Sequence, residues 1–230
     1  WCESENYEDL SNHVAFRNFN IWSKNWNEIQ VSKDKHIVRD PRKIRSLAIK
    51  GEELAQKRAE VLKKIIRGDP QAAIRIALPE EVTTSFPRSI LKHIEKWENS
   101  IADLSAIHVC FDPQHPKGLI QRYVKFSDGR KLKTFVFGER KNILGSKGIS
   151  LWGISLNGEL AMSDKPYQVK RNRGSGKLTI VHGGNKLTLD DNIAFKLFDL
   201  EVKRSEQKAK LQRTRINYPV IAASSSLSDY

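Results

Sequence analysis

The amino-acid sequence predicts an α+β fold in which N-terminal helices pack on a small antiparallel β-barrel or twisted sheet of hairpins, with a charged helix near the C-terminal end. Three observations lead there. Apolar residues recur at three- and four-residue steps over residues 42–67, the period of a helix. Beyond Asn99 the period falls to two, the mark of strands. Turn chemistry then recurs at short intervals, at Ser127-Asp128-Gly129-Arg130, Asn157-Gly158 and Gly183-Gly184, each suited to a hairpin.

Residues 1–40 read as a polar, Asn-rich arm whose Trp1, Phe16, Phe19, Trp22 and Trp26 show no clear period, expected to wrap over a neighbouring surface through their rings. Ile44, Leu47, Leu54, Val61, Leu62, Ile65 and Ile66 then mark an amphipathic helix. Gly68 suits its exit, Asp69 caps a second helix and Pro70 fits that helix's first turn, so a helical elbow should end at Leu78-Pro79. Ile90, Leu91, Ile94 and Trp97 predict a third amphipathic run, with helices dominating up to Asn99. Strands are expected over 106–111, 119–126, 131–137, 149–156 and 159–162, then, after a loop at 164–166 and a basic connection over 171–176, a hairpin of 177–181 and 186–189. Asp190-Asp191 opens a helix over 193–213 with a stripe of Phe195, Leu197, Phe198, Leu200 and Val202. Residues 41–215 are therefore expected to form one domain. Residues 216–230, with Ala222-Ala223-Ser224-Ser225-Ser226, have linker composition, exposed and easily cut.

The net charge of +13 and pI near 9.7 point to acidic partners: nucleic acid, anionic polysaccharide, an anionic lipid surface or an acidic protein domain. The excess is spread. Residues 117–147 hold nine Lys/Arg against Asp128 and Glu139, read here as solvated faces of hairpins where lysine also blocks edge-to-edge pairing. The concrete polyanion reading is a mobile loop in which Lys170, Arg171 and Arg173 reach phosphate or sulfate while Tyr167 stacks beside them. No RNP, KH or helix-turn-helix signature accompanies it. Apolar runs such as 135–138 fall far short of the roughly 20 residues of a membrane span. Cys2 and Cys110 are compatible with one disulfide tying the arm to the core, or with two free thiols. The chain starts at Trp1 rather than Met, as either a processed precursor or a shortened chain would.

Catalytic chemistry finds little support. The six histidines include no HExxH pair, so the chain is not expected to be a zinc protease itself. The densest set of ligand types is His108, Cys110, Asp112 and His115, better read as a strand entering a turn bracketed by Pro113 and Pro116. Gly174-Ser175-Gly176 lacks the flanking strand and helix of a nucleophile elbow. Glu80-Glu81 and Asp190-Asp191 sit at helix starts, where negative charge favours the helix dipole. No catalytic residue, metal or cofactor is expected, and the work of the chain should be done by contact.

Two segments carry a family resemblance. The first is 58–79, with Arg58, Leu62, Ile65, Ile66, Asp69-Pro70, Ala72, Ala73 and Ala77-Leu78-Pro79; the second is 135–169, with Val136-Phe137-Gly138, Gly148-Ile149, Leu151, Gly153-Ile154, Leu156, Gly158, Leu160-Ala161 and Val169. Together they resemble the N-terminal module of large secreted multidomain proteins of planctomycete- and verrucomicrobia-type bacteria, which follows a signal peptide and often precedes a reprolysin-like zinc metalloprotease domain. The likeness covers about half of the chain, and its motifs are structural. It implies export to the cell surface or beyond and a prodomain-like role, as folding template or inhibitor of a downstream or separate protease domain. It brings no catalytic residue. The Lys-rich composition and the long aromatic arm depart from the pattern.

Overall fold

A computed structural model describes residues 13–31, 40–109, 119–171, 176–190 and 192–214. The chain divides into two compact units, one of residues 1–170 and 179–188, the other of residues 171–178 and 189–230. Cys2 and Cys110 lie outside the described residues, as does the tail over 216–230.

The first unit opens with α1, Val14–Val31. Residues read as an arm without period therefore form a helix. Phe16, Phe19, Trp22 and Trp26 follow one another at steps of three, three and four, so all four rings fall on one face and are buried. α2 is Pro41–Gly68, and the two helices meet at Gly51, where a Cβ would lie 2.2 Å from the Trp22 indole. Two indole N–H groups then tie α1 down: Trp22 donates to the Leu47 carbonyl at 2.9 Å and Trp26 to that of Ser85 at 3.0 Å.

The predicted elbow is present. Asp40 caps α2 with Pro41 behind it, and the Asp69 carboxylate accepts the Ala72 N–H at 2.9 Å to open α3, Pro70–Ile76. Short helices α4, Glu80–Thr83, and α5, Arg88–Leu91, follow. The third helical run thus stops six residues before Trp97, which already belongs to β1, Lys96–Val109. Tertiary contacts overrule the helical spacing there. Trp97 stacks on Trp152 with ring centres 5.2 Å apart and donates its indole N–H to the Leu78 carbonyl at 2.7 Å. Glu95, just before it, turns back to Arg58.

That Arg58–Glu95 pair is buried to 0% side-chain exposure on both sides. Arg58 Nη2 donates to Glu95 Oε1 at 2.7 Å, Nη1 donates to Oε2, and the Leu78 N–H donates to Oε1 at 2.7 Å. The Phe16 and Phe19 rings lie 5.2 and 5.7 Å from the guanidinium carbon, within cation–π range.

Five strands close the barrel: β1, β2 (Leu119–Phe126), β3 (Lys131–Val136), β4 (Gly145–Leu156) and β5 (Glu159–Met162), in the order β1-β2-β3-β5-β4 and back to β1. β3 and β5 run parallel and every other pair antiparallel. β1 serves both halves, pairing with β4 from Lys96 and with β2 from Ala102, with a bulge between Ala102 and Leu104. Leu104, Val124, Phe126, Leu132, Leu151, Leu160 and Met162 fill the interior, while Ile154, Leu156 and Ala161 face outward under Leu62, Ile66 and Ala73 of α2 and α3. β4 and β5 come so close that a Cβ at Gly153 would lie 2.1 Å from the Ala161 carbonyl oxygen. The turn between them is the expected one, with Asn157 at φ 49° and Gly158 at φ 82°.

β6 (Tyr167–Arg171), β7 (Leu178–His182) and β8 (Asn185–Leu189) make a separate three-stranded antiparallel sheet. Within the first unit, Asn99 of β1 holds the β7–β8 turn: its Nδ2 donates to the Val181 carbonyl at 3.1 Å and its Oδ1 accepts the Gly184 N–H at 2.8 Å. In the second unit, α6 (Asn192–Thr214) is the C-terminal helix that the sequence predicts, and Lys177 pairs with Asp190 at 2.7 Å. No helix among the described residues is long and apolar enough to cross a membrane.

Two stability tests follow from this packing. Glu95→Gln leaves the Arg58 charge buried without its counter-ion and is expected to cost about 3–5 kcal/mol by urea unfolding. Burial pushes the Glu95 carboxyl up, but the Arg58 charge, its hydrogen bonds and the Leu78 N–H outweigh that and hold it below the ordinary 4.5. A folded value below the unfolded one means that this stabilisation is complete above pH 4.5 and drains as pH falls through the folded value. The urea midpoint of the native chain should therefore fall with acid in that range, and Glu95→Gln should flatten the fall. Gly153→Ala should cost about 1–3 kcal/mol by overpacking. Gly145→Ala, where the nearest atom to a Cβ is 3.8 Å away, is the control and should stay within about 0.5 kcal/mol.

Candidate functional site

Alternation along β2 and β3 divides their side chains cleanly. Val124 and Phe126 point inward with Leu132, Thr134 and Val136, so Gln121, Tyr123, Lys125, Lys131, Lys133 and Phe135 point outward. Register then sets outward neighbours side by side: Tyr123 opposite Lys133, and Lys125 opposite Lys131. On the other flank, β1 places Ser105 beside Tyr123, Asp103 beside Lys125 and Ile107 beside Gln121. The result is a sheet face with three lysines around one tyrosine.

Two of the ammonium groups rest on aromatic faces. Lys131 Nζ lies 4.5 Å from the Tyr123 ring centre and Lys133 Nζ 5.7 Å from that of Phe135. Tyr123 is oriented by its hydroxyl, which donates to Gln121 Oε1 at 2.9 Å. Two carboxylates border these rows: Asp103 accepts the Gly148 N–H at 2.8 Å, and Glu159, opposite Lys133 on β5, is held by Arg67 at 2.7 Å. Lys125, Lys131 and Lys133 form no ion pair with any described residue.

Nearby cations are engaged instead. Arg130 pairs with Glu98 at 2.7 Å and Asp128 at 2.6 Å, and hydrogen bonds to both carboxylates hold its pKa above the ordinary arginine value. Glu98 is further held by the Ser155 hydroxyl at 2.7 Å. Arg122 turns to the carbonyls of Lys141 and Ile143, and burial lowers its pKa. Arg140, on the 3-10 turn Gly138–Asn142, donates to the carbonyls of Asp164 at 3.1 Å and Ser150 at 3.3 Å. Arg67 meets Glu159 at 2.7 Å. Arginines are spent on holding the barrel, and lysines are left facing outward. Like charges placed directly opposite each other on a sheet are mutually unfavourable, so the Lys125–Lys131 row leaves electrostatic energy for a ligand to relieve.

The residues singled out from the sequence are arranged differently. Tyr167 is 3% exposed, so its ring is not open to stack beside a ligand. It also lies three positions from Lys170 on β6, and alternation sends the two side chains to opposite faces. Lys170 pairs with Glu81 at 3.2 Å. Arg171 donates to Asn192 Oδ1 at 3.1 Å, and Arg173 lies outside the described residues. The sequence signal of the lysine face was present as Tyr123-Val124-Lys125 and Lys131-Leu132-Lys133, lysine alternating with apolar residues across one hairpin.

A concavity of about 750 Å³ runs beside α1, lined by Ser23 and Asn27 on one wall and Ile76, Leu78, Pro79 and Val82 on the other. Asn27 on its polar wall is used internally: its Nδ2 donates to the Val82 carbonyl at 3.3 Å, and the Ser85 hydroxyl donates to its Oδ1. Cys110, Asp112 and His115 and the side chain of His108 lie outside the described residues, and among the described residues no three His, Cys, Asp or Glu side chains are grouped to hold a metal ion. No family model, no curated protein and no solved structure matches this chain.

Proposed function

We propose that this chain is a non-catalytic, prodomain-like module that works by contact with an acidic protein domain, serving as its folding template or its inhibitor. The observation that carries this reading is the outward face of β1–β3, where Lys125, Lys131 and Lys133 stand without ion-pair partners among the described residues. They stand on a closed barrel whose other charges brace it, so the cations are presented by a stiff support. Electrostatic complementarity of this kind steers encounter and rejects basic partners. The net charge of +13 adds a long-range attraction to the same partner class. The resemblance to modules upstream of secreted metalloproteases supplies the partner: the protease domain of the same precursor or of a separate chain.

The experiment pairs the purified chain with the protease domain that follows such a module in its precursor. Binding is expected, together with slower proteolysis or higher recovery of active protease on refolding. Both effects should weaken as salt is raised through the range where the Debye length shrinks from about 30 Å to about 8 Å. Neither binding nor any change in activity would refute the reading.

A further inference from the structure

Resting on the contact reading above, we infer that the lysine face of β1–β3 seats an extended acidic peptide segment of the partner, with carboxylates at alternate positions meeting Lys131, Lys133 and Lys125. Spacing is the first argument. Lys131 and Lys133 are two residues apart on one strand, roughly 7 Å along it, and an extended chain repeats its own side chains on one face at the same interval. Lys125, opposite Lys131, widens the upper end of the ladder so that one carboxylate can take charge-assisted hydrogen bonds from two ammonium groups.

The second argument separates a peptide from a nucleic acid. A single strand of nucleic acid is held on such faces by stacking its bases on open aromatic rings. Here the ring faces are occupied. Lys131 covers Tyr123, Lys133 lies over Phe135, and Phe135 also packs against the apolar cluster beneath α2 and α3. These rings position cations and leave little surface for bases. The third argument is the far end of the face, where Ile107 is 51% exposed beside Gln121. An apolar side chain further along a peptide can cover it, whereas a phosphate chain has nothing to place there. Asp103, beside Lys125, bounds the site on the β1 side with its own negative charge.

The full chain is titrated at low salt, by fluorescence anisotropy, with a capped peptide alternating glutamate and threonine and ending in leucine. An isomer with its glutamates contiguous, an oligothymidylate of equal charge and heparin serve as comparison probes. The alternating peptide should bind more tightly than its isomer and than oligothymidylate. Lys131→Glu with Lys133→Glu should weaken it at least about tenfold, as should Lys125→Glu with Lys131→Glu. Lys170→Glu should leave it unchanged, and Ile107→Ser should weaken the alternating peptide but not the same peptide with serine in place of its leucine. Thermal unfolding confirms that each variant is folded, and Lys→Gln replacements stand in for any that is not. Equal binding of the two peptides, indifference to the lysine variants, or tighter binding of oligothymidylate or heparin at the same lysines would overturn the inference. If the peptides fail while salt-sensitive binding to the protease domain persists, the extended-strand mode is wrong and the contact reading stands. If both fail, both fall.

Discussion

The buried pair of Arg58 and Glu95 joins four pieces of chain that local sequence would not bring together. Arg58 comes from the middle of α2, Glu95 from the residue before β1, the Leu78 N–H from the segment leaving α3, and the covering rings of Phe16 and Phe19 from α1. Removing both charges from water is costly, and the arrangement repays it only because nearly every polar atom is matched. The carboxylate takes both guanidinium nitrogens and a backbone amide, and Arg58 Nη2 also reaches the Ile76 carbonyl at 3.4 Å. Within the pair, Arg58 Nε alone lacks a hydrogen-bond partner. A pair so demanding of geometry discriminates between packings: a helix shifted by one turn would strand two charges. It therefore sets where the helical layer ends and where β1 begins.

From that point the barrel follows. Once Glu95 is fixed, β1 starts with Trp97 held against Leu78 and Trp152, and the strand runs long enough to pair with β4 first and β2 afterwards. Closure removes the exposed strand edges on which another chain could add a strand. Side chains then have three destinations: the barrel interior, the layer beneath α2 and α3, and solvent. β5 and the end of β4 serve the first two, which is why residues 153–156 and 159–162 are buried on each face and why Gly153 admits no Cβ. β2 and the start of β3 serve the first and the third, and their outward face becomes the surface through which the protein can act.

Much of this was legible in advance. The α2–α3 elbow was readable because helical spacing, an Asp cap and a proline at the first position agree locally, and the β4–β5 hairpin was readable because Asn157-Gly158 permits few other conformations. α1 was missed although its aromatic steps of three, three and four are helical, because Trp1 and the surrounding Asn and Ser residues diluted the pattern. The helical run through Ile94 to Trp97 failed for a different reason: its spacing is apolar at helical steps, but one side chain fills the core and the other lies on a strand. Tyr167 stands among basic residues in the sequence but is buried in the fold, because burial is not a property of neighbours in sequence.

By itself the sequence determined the α2–α3 elbow and the positions of the hairpin turns, since both depend on residues within a few positions of one another. Tertiary structure alone decided the order of strands in the barrel and which positive charges remain uncompensated. Arg67 finds Glu159 across 92 positions and Arg130 finds Glu98 across 32, whereas Lys125, Lys131 and Lys133 form no ion pair with any described residue. Such pairings are made through space after the chain has closed on itself. A count of lysines and arginines over residues 117–147 could not distinguish the cations that brace the barrel from those free to meet a partner.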